Sequence, residues 1–370
     1  MRAGLYIHFP FCRAKCPYCH FYSLPDRDDL YSEWWEGLKR EAEFSASLSL
    51  DVDTVYIGGG TQSLLRPDDL RAVRELLGAC FRVEAAEWTL EVNPEAVDGG
   101  LVRGWKDAGV TRLSVGVQSF DDAILRKLGR RYLADEARRF FGLAREAGFA
   151  SLGIDLMTGV PGEPDGAAKQ AVEETARLGP DHVSLYILEN VDGLPFEKLL
   201  EREPVDDDSG ADVYHRIRVG LEDAGLRQYE ISNFARPGME CLHNLKYWRY
   251  EPFLGLGPSA CSHIGGRRWC NKRKLGDWEK ALYGGRPLYE EEVELTPAAS
   301  AREALVFGLR LVGGVDLRGL RQRFGIDVET EFAAAIDELV ADGWLVRDEG
   351  TVRIPPERFL VSNHVFSRFV

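Results

Sequence analysis

The chain has 370 residues, of which 45% are hydrophobic and 29% are charged, and its net charge is −14. This length and composition are typical of a folded protein with one large and one smaller core, and they exclude an extended disordered chain. The acidic balance argues against binding to a phosphate backbone. No basic region precedes an apolar one near Met1, and the apolar stretch 305–315 is interrupted by Arg310 and too short to span a bilayer. We therefore expect a cytoplasmic protein that binds no nucleic acid.

The cysteines are unevenly distributed. Three of the seven lie within eight residues and four are scattered: Cys12, Cys16 and Cys19, then Cys80, Cys241, Cys261 and Cys270. An odd number in a chain of this length does not indicate a disulfide framework. In a reducing cytosol, clustered cysteines more often bind metal or take part in chemistry.

Residues 1–235 alternate between short apolar runs and longer amphipathic stretches. The predicted strands are 4–9, 54–58, 88–92, 112–117, 152–157 and 182–187. The predicted helices are 30–45, 68–77, 100–108, 121–128, 134–147 and 167–178. Pro67 is placed to begin a helix, and Gly109 and Gly148 are placed to end one. Six strand–helix units predict an α/β fold with a partial (β/α)6 parallel barrel.

The end of the chain has a different pattern. Residues 300–311, 317–324 and 329–342 are predicted helices, and a turn at Glu349-Gly350 joins two short strands. Three helices and a hairpin predict a small winged-helix-like domain over 296–370, which leaves 236–295 as a connecting region. Residues 296–370 carry nine Lys or Arg against eleven Asp or Glu. This balance favours packing or partner binding over DNA recognition.

The strongest motif is Cys12-x3-Cys16-x2-Cys19. Thiolates are the usual ligands of iron–sulfur clusters, and three of them leave one iron of a 4Fe–4S cluster open. An open iron can chelate the amino and carboxylate groups of S-adenosylmethionine, whose reductive cleavage yields a deoxyadenosyl radical. The alternative is a zinc site in which His8 or His20 is the fourth ligand.

Polar and glycine-rich features follow successive predicted strands. They are Gly58-Gly59-Gly60-Thr61, Glu91, Gln118, Asp155 and Glu189. The carboxyl ends of parallel strands form one edge of a barrel, so these groups are expected to converge with the cysteine loop on one site. Taken singly, each could instead be a tight turn, a solvated strand end or a hydrogen-bonded core group. The glycine run lacks the Gly-Lys-Ser/Thr ending of a phosphate-binding loop.

Several motifs in order resemble one family. Tyr6-Ile-His-Phe-Pro-Phe-Cys12, Gly-Gly-Gly-Thr61, Glu91-Val-Asn-Pro-Glu and Ser114-Val-Gly-Val-Gln118-Ser resemble the oxygen-independent coproporphyrinogen III oxidase family of radical-SAM proteins. The resemblance covers nearly the whole chain and implies that Cys12, Cys16 and Cys19 ligate the cluster. It also implies a set of residues that contact S-adenosylmethionine: Tyr6, Tyr18, Gly59, Gly60, Thr61, Glu91, Gln118, Arg130 and Asp155.

Two departures separate this chain from the oxidases. Phe21 occupies the position at which the oxidase pattern C-x3-C-x2-C-x-C has a fourth cysteine. The cluster motif also begins almost at Met1, without the N-terminal extension of the oxidases. In addition, His243-Asn244-Leu245-Lys246-Tyr247-Trp248 resembles the H-N-x-x-Y-W signature of the HemW-type haem chaperones, a branch of this family.

The resemblance to that branch implies haem binding through His243, Tyr247 and Trp248. Imidazole is a common axial ligand of haem iron, aromatic rings suit a porphyrin face, and Cys241 is a second candidate ligand. The alternative is that His243 and Asn244 cap a turn while the two aromatic side chains pack in the core.

The leading hypothesis is a haem chaperone that carries a 4Fe–4S cluster, binds S-adenosylmethionine and haem, and transfers haem to acceptor proteins, notably respiratory ones. The alternative is an oxygen-independent coproporphyrinogen III oxidase, an enzyme of porphyrin biosynthesis. The partners implied by the family are haem, haem-acceptor proteins and an electron donor. Peripheral membrane contact and a homodimer are open alternatives.

Overall fold

A twelve-stranded sheet forms the centre of the molecule. The computed structural model describes residues 1–284 and 288–370. The first six strands of the sheet are β1 (Arg2–Phe9), β2 (Asp51–Gly59), β3 (Arg82–Val92), β4 (Arg112–Gln118), β5 (Ser151–Thr158) and β6 (His182–Ile187). The helices of this half are α1 (Tyr31–Ser45), α2 (Pro67–Cys80), α3 (Gly99–Asp107), α4 (Asp122–Lys127), α5 (Ala134–Glu146), α6 (Ala167–Leu178), α7 (Glu197–Arg202) and α8 (Asp207–Asp223). The predicted α/β partial barrel is confirmed.

The helix boundaries follow the predicted capping signals. Pro67 is the first residue of α2, and the Asp69 carboxylate accepts the backbone N–H of Arg66 at 2.7 Å. Gly109 and Gly148 follow α3 and α5 with φ of 97° and 80°, the left-handed conformation that glycine adopts without strain. Local sequence therefore sets where each helix gives way to the next strand.

Short strands extend the sheet on both sides. They are β7 (Arg227–Gln228), β8 (Asn233–Ala235), β9 (Phe253–Leu256), β10 (Cys261–Ile264), β11 (Arg267–Asn271) and β12 (Tyr289–Glu294). The strand order is β12-β11-β10-β9-β1-β2-β3-β4-β5-β6-β8-β7. β9 pairs with β1 in parallel, so the barrel has a seventh parallel strand beside the six that were predicted.

The predicted connecting region 236–295 thus contributes to the sheet. It supplies four strands together with α9 (Leu242–Trp248) and α10 (Leu275–Gly284). These strands have only four to six residues, too few for periodicity to distinguish them from loops. Cys261 and Cys270 face each other across β10 and β11 and form a disulfide, a single pairing that the sequence did not predict.

The C-terminal domain is a separate helical layer with a small sheet. Its helices are α11 (Pro297–Gly308), α12 (Leu317–Phe324), α13 (Val328–Glu331), α14 (Ala333–Ala341) and α15 (Asn363–Phe366). Its strands are β13 (Val315–Asp316), β14 (Val346–Asp348) and β15 (Thr351–Arg353), in the order β13-β15-β14. The predicted helix 329–342 is divided at Phe332 into α13 and α14.

The barrel and the C-terminal domain each have their own apolar core. One fills the barrel and includes Trp34, Trp105 and Trp278, and the other fills the C-terminal domain around Leu305 and Phe359. In the described part of the chain, no helix is long and apolar enough to cross a membrane.

Candidate functional site

The predicted site residues gather at the carboxyl ends of the parallel strands. The cysteine loop follows β1 and the glycine run ends β2, while Glu91, Gln118 and Asp155 lie on β3, β4 and β5. Gln118 has φ of 66° at the end of its strand, which turns the chain away from the sheet. Parallel pairing places these strand ends side by side, so residues far apart in sequence line the same open end of the barrel, here called the mouth.

The cysteine loop is anchored at its base. Phe11–Cys12 pairs with Leu24–Pro25 as a short strand pair that closes the loop. Within the loop, the Cys19 N–H donates to the Cys16 carbonyl at 3.1 Å. Burial raises the pKa of the Cys12 and Cys19 thiols above the ordinary value. A bound metal cluster would supply the positive charge that holds these sulfurs as thiolates.

The donor set is three thiols, which suits a 4Fe–4S cluster because each of three irons can take one thiolate. A zinc site would need a fourth ligand, for which His8 and His20 are the candidates. Among residues 1–284 and 288–370, no three His, Cys, Asp or Glu side chains are preformed around a single point. His8 Nε2 bonds the Tyr22 carbonyl at 2.9 Å, and its Nδ1 bonds the Tyr6 hydroxyl at 3.0 Å.

The two candidate zinc histidines are therefore both accounted for. His8 is buried with both nitrogens engaged, and burial lowers its pKa to about 4. The His20 ring lies 4.5 Å from that of Phe21, on the exposed side of the loop. This packing explains why neither imidazole turns toward the three sulfurs.

Glycine is required after β2 because the cysteine loop lies against it. A Cβ on Gly59 would lie 2.4 Å from the His8 ring, and one on Gly60 would lie 2.4 Å from the Phe11 carbonyl. The Gly60 N–H donates to the Phe9 carbonyl at 2.7 Å, and the Thr61 N–H donates to the Phe11 carbonyl at 2.7 Å. The glycine run thus fixes the loop to the strand edge, a role that the sequence motif alone does not reveal.

Two partly buried carboxylates lie at the mouth. Glu91 accepts hydrogen bonds from the Tyr56 hydroxyl at 2.6 Å and the Gly59 N–H at 3.1 Å. Asp155 accepts from the Ser114 hydroxyl at 3.0 Å. Burial raises the pKa of Glu91 and raises that of Asp155 to about 6. These groups are suited to accept hydrogen bonds from hydroxyl or amino groups of a bound ligand.

Arg130 provides the positive charge at the same mouth. Its guanidinium lies between the Tyr18 and Tyr132 rings, 5.6 and 5.8 Å from their centres. It donates to the Asn93 side chain at 3.0 Å and to the Tyr18 hydroxyl, while its Nε has no partner within the described residues. A buried guanidinium without a carboxylate partner can pair with an anionic ligand group. Asn93 belongs to the Glu91-Val-Asn-Pro-Glu motif, so the sequence already indicated it, with Glu91, at the end of this strand.

The His243–Trp248 motif lies elsewhere, at the amino-terminal side of the strands. His243 is 0% exposed; its Nδ1 bonds the Thr54 hydroxyl at 2.9 Å, and its Nε2 bonds the Tyr247 hydroxyl at 2.9 Å. Burial lowers the pKa of this imidazole to about 3. Both ring nitrogens are therefore engaged within the protein, as expected from the alternative in which the motif packs into the core. The assignment of His243, Tyr247 and Trp248 to haem stays a prediction.

Helix α9, which carries this motif, is fixed to the barrel by Glu87. The buried Glu87 carboxylate accepts the N–H groups of Leu242 and His243 at 3.2 and 3.1 Å and the Cys241 thiol at 3.3 Å. Arg112 pairs with the same carboxylate at 2.8 Å. The Cys241 sulfur is therefore enclosed and unavailable to a haem iron. Neither Glu87 nor Arg112 belongs to a motif, so no pattern in the sequence indicated this pair.

Tyr247 and Trp248 connect α9 to its surroundings. Tyr247 packs edge-on against Phe253 at 4.6 Å, and Trp248 stacks on Phe307 of the C-terminal domain at 6.3 Å. The Arg310 guanidinium lies 4.3 Å from the Trp248 ring. The two aromatic residues thus join the barrel to the C-terminal domain.

The fold and the three-cysteine loop define a radical SAM protein, a class that carries a 4Fe–4S cluster and binds S-adenosylmethionine. The Radical SAM superfamily model matches residues 6–187, and the HemN C-terminal domain model matches residues 295–361. The structure of coproporphyrinogen III oxidase HemN from Escherichia coli has a TM-score of 0.88 at 23% identity, covering 100% of this chain and 90% of that one. At this identity the match supports the fold alone.

Full-length relatives define the family more narrowly. The heme chaperone HemW of Bacillus subtilis is 30% identical over 372 residues, covering 99% of this chain and 98% of that protein. The mitochondrial radical S-adenosyl methionine domain-containing protein 1 of Mus musculus is 37% identical, covering 94% of this chain and 82% of that protein. The chain belongs to the HemW heme chaperone family of radical SAM proteins.

Proposed function

We propose that this protein is a haem chaperone, which binds haem and transfers it to haem-acceptor proteins of the respiratory chain. The observation that carries the proposal is the full-length similarity to heme chaperones, which includes both the cluster region and the C-terminal domain. A cytoplasmic location, an electron donor, peripheral membrane contact and a homodimer stay predictions.

The residues at the strand ends would serve the cluster and S-adenosylmethionine. Cys12, Cys16 and Cys19 would ligate the cluster, which on reduction supplies an electron to the sulfonium of S-adenosylmethionine. Glu91 would accept hydrogen bonds from ribose hydroxyls, and Arg130 would pair with the carboxylate. Tyr6, Tyr18, Gly59, Gly60, Thr61, Gln118 and Asp155 would complete the surroundings of the ligand.

The cavity below the strand ends has a volume of about 380 Å³, open space included, and is lined by polar groups such as Glu91, Asp155 and Ser114. Helix α9 closes it through Cys241 and Asn244. Since Glu91 and Asp155 are among the residues proposed to surround S-adenosylmethionine, this cavity belongs to the cofactor site. The oxidase alternative is disfavoured by the cysteine loop. Phe21, 53% exposed at the position of a fourth cysteine, provides no thiol.

The test is an anaerobic haem titration of cluster-reconstituted protein, followed by absorbance. Saturable binding of about one haem per chain is expected for the wild type. A Cys16→Ser variant reports on the cluster, and Cys80→Ser, at the end of α2, is its matched control. A failure to bind haem in any cluster state, together with protoporphyrinogen formation above a no-cluster control, would replace the chaperone by the oxidase.

A further inference from the structure

The β10–β11 hairpin carries the Cys261–Cys270 disulfide at the end away from its turn. The two cysteines are directly opposite each other in the strand pairing. Cys261 is exposed and Cys270 is partly exposed, so small thiols and disulfides in solution can reach the pair. The other five cysteines of the chain have free thiols.

This disulfide has to coexist with a loop of thiols that must stay reduced. Ligation of the cluster by Cys12, Cys16 and Cys19, as proposed above, requires thiolates, so the chain works where thiols are not oxidised wholesale. In such surroundings disulfides are rare, and those that form are usually transient or redox-sensing. Exposed disulfides are the ones that reductants open most readily. The pair is therefore suited to reversible exchange more than to permanent cross-linking.

The segment that precedes Cys261 contacts the chain just before the cysteine loop. Residues 257–260 connect β9 to β10, and Gly257 has φ of 98°. A Cβ on Gly257 would lie 2.7 Å from the His8 carbonyl, so the two backbones meet with no room for a side chain. Because β1 leads directly into the loop, the position of residues 257–260 affects where the loop begins.

The segment that follows Cys270 contacts the other end of the loop. The Arg273 guanidinium donates to the His20 carbonyl at 3.4 Å, and the Leu275 N–H donates to the Tyr22 hydroxyl at 2.8 Å. The disulfide thus joins two segments, one on each side of the three cysteines that would hold the cluster.

A buried carboxylate ties the same two segments together. Glu41 of α1 accepts the Gly257 N–H at 2.7 Å and the Asn271 side-chain amide at 2.6 Å. The Asn271 amide also donates to the Gly257 carbonyl at 2.8 Å. These bonds do not depend on the disulfide, so the hairpin keeps its place in the fold when the disulfide opens. The disulfide is a second, covalent tie that chemistry in solution can add or remove.

We propose that Cys261 and Cys270 form a thiol–disulfide exchange site for low-molecular-weight disulfides such as glutathione disulfide, and that its oxidation tightens the hold of the two segments on the cysteine loop. The proposal rests on ligation of the cluster by that loop and not on haem transfer.

The exchange has two steps. The thiolate of Cys261, the more exposed cysteine, attacks one sulfur of glutathione disulfide and releases one glutathione. The Cys270 thiolate then displaces the second glutathione and closes the protein disulfide. The two electrons and the two thiol protons pass to glutathione disulfide, which becomes two molecules of glutathione. A dithiol reductant such as dithiothreitol reverses the reaction.

The first test is exchange on the cluster-loaded wild type under anaerobic conditions. Protein reduced with dithiothreitol and then freed of it is equilibrated with mixtures of glutathione and glutathione disulfide, alkylated in urea and digested with trypsin. Trypsin cuts after Arg267 and Arg268, between the two cysteines, so the disulfide is detected as two linked peptides. We expect Cys261 and Cys270 to become protected together, while the enclosed Cys241 stays alkylated. Alkylation of both at every ratio, or a link that dithiothreitol does not open, would overturn the proposal.

The second test is the rate at which an iron chelator removes the cluster, followed by absorbance. We expect the reduced wild type to lose iron at least roughly threefold faster than the oxidised wild type. The double variant Cys261→Ser/Cys270→Ser should lose iron at the rate of the reduced wild type in both buffers. Cys80→Ser keeps the disulfide and should respond as the wild type does.

Two results of the second test would overturn the proposal. One is an equal rate of iron loss from the oxidised and the reduced wild type, and the other is a redox response that persists in the double variant. Urea unfolding verifies that the double variant is folded, and if it is not, the two forms of the wild type still decide the question. None of these results bears on haem binding, which the haem titration tests separately.

Discussion

The His243→Ala substitution distinguishes a structural histidine from a haem ligand. The substitution removes a 0%-exposed ring and leaves two buried hydroxyls, those of Thr54 and Tyr247, without their partner. Each unsatisfied buried group costs about 1–3 kcal/mol, and relaxation around the small cavity recovers part of the total. We expect the free energy of unfolding to fall by about 2–4 kcal/mol.

The assay is urea denaturation followed by circular dichroism, with haem titration of the same samples. Tyr247→Phe is the matched variant, because it removes one of the two hydrogen bonds while retaining the ring, and we expect a loss of about 1 kcal/mol. Haem bound by folded His243→Ala should retain the wild-type Soret position. A variant of wild-type stability with an altered Soret band would refute the reasoning and return His243 to the iron.

Three further predictions concern the frame of the site. Glu87→Ala leaves the start of α9 and a buried guanidinium without their carboxylate, so we expect a loss of about 3–5 kcal/mol in urea unfolding; a loss below about 1 kcal/mol would contradict this. Gly60→Ala places a Cβ 2.4 Å from a carbonyl of the cysteine loop, so the iron and sulfide content after reconstitution should fall severalfold. Gly78→Ala is the control, because its Cβ would lie in open space, and its iron and sulfide content should match that of the wild type. Burial lowers the pKa of His243 to about 3, so the stabilisation that comes from keeping this imidazole neutral is complete above about pH 6.5. As the pH falls toward 3, the free energy of unfolding should decrease by up to about 1.4 kcal/mol per pH unit. His243→Gln should flatten this acid dependence, and an unchanged slope would contradict the assignment.

The six strands of the barrel could be predicted because each is a mostly buried apolar run of six or more residues that is followed by an amphipathic helix. The strands β9 to β12 could not, since a four-residue strand such as β9 acquires its identity from pairing with β1, a contact between distant residues. The polar residues that follow or lie on successive strands likewise predicted that Glu91 and Asp155 lie at the mouth.

The motif around His243 shows what a motif match cannot predict. A motif match indicates that residues matter but not what they contact. The spacing of His243 and Tyr247 by four residues puts them on one helical face, and that spacing already allowed the hydrogen bond between them.

The most direct test of the central claim is haem transfer. Cluster-containing protein loaded with haem is mixed with a haem-free b-type cytochrome of the respiratory chain, and the acceptor spectrum is followed with time. The chaperone account predicts that haem reaches the cytochrome faster than it is released to serum albumin, a passive scavenger. Equal rates to both acceptors, or no haem retained for transfer, would contradict it.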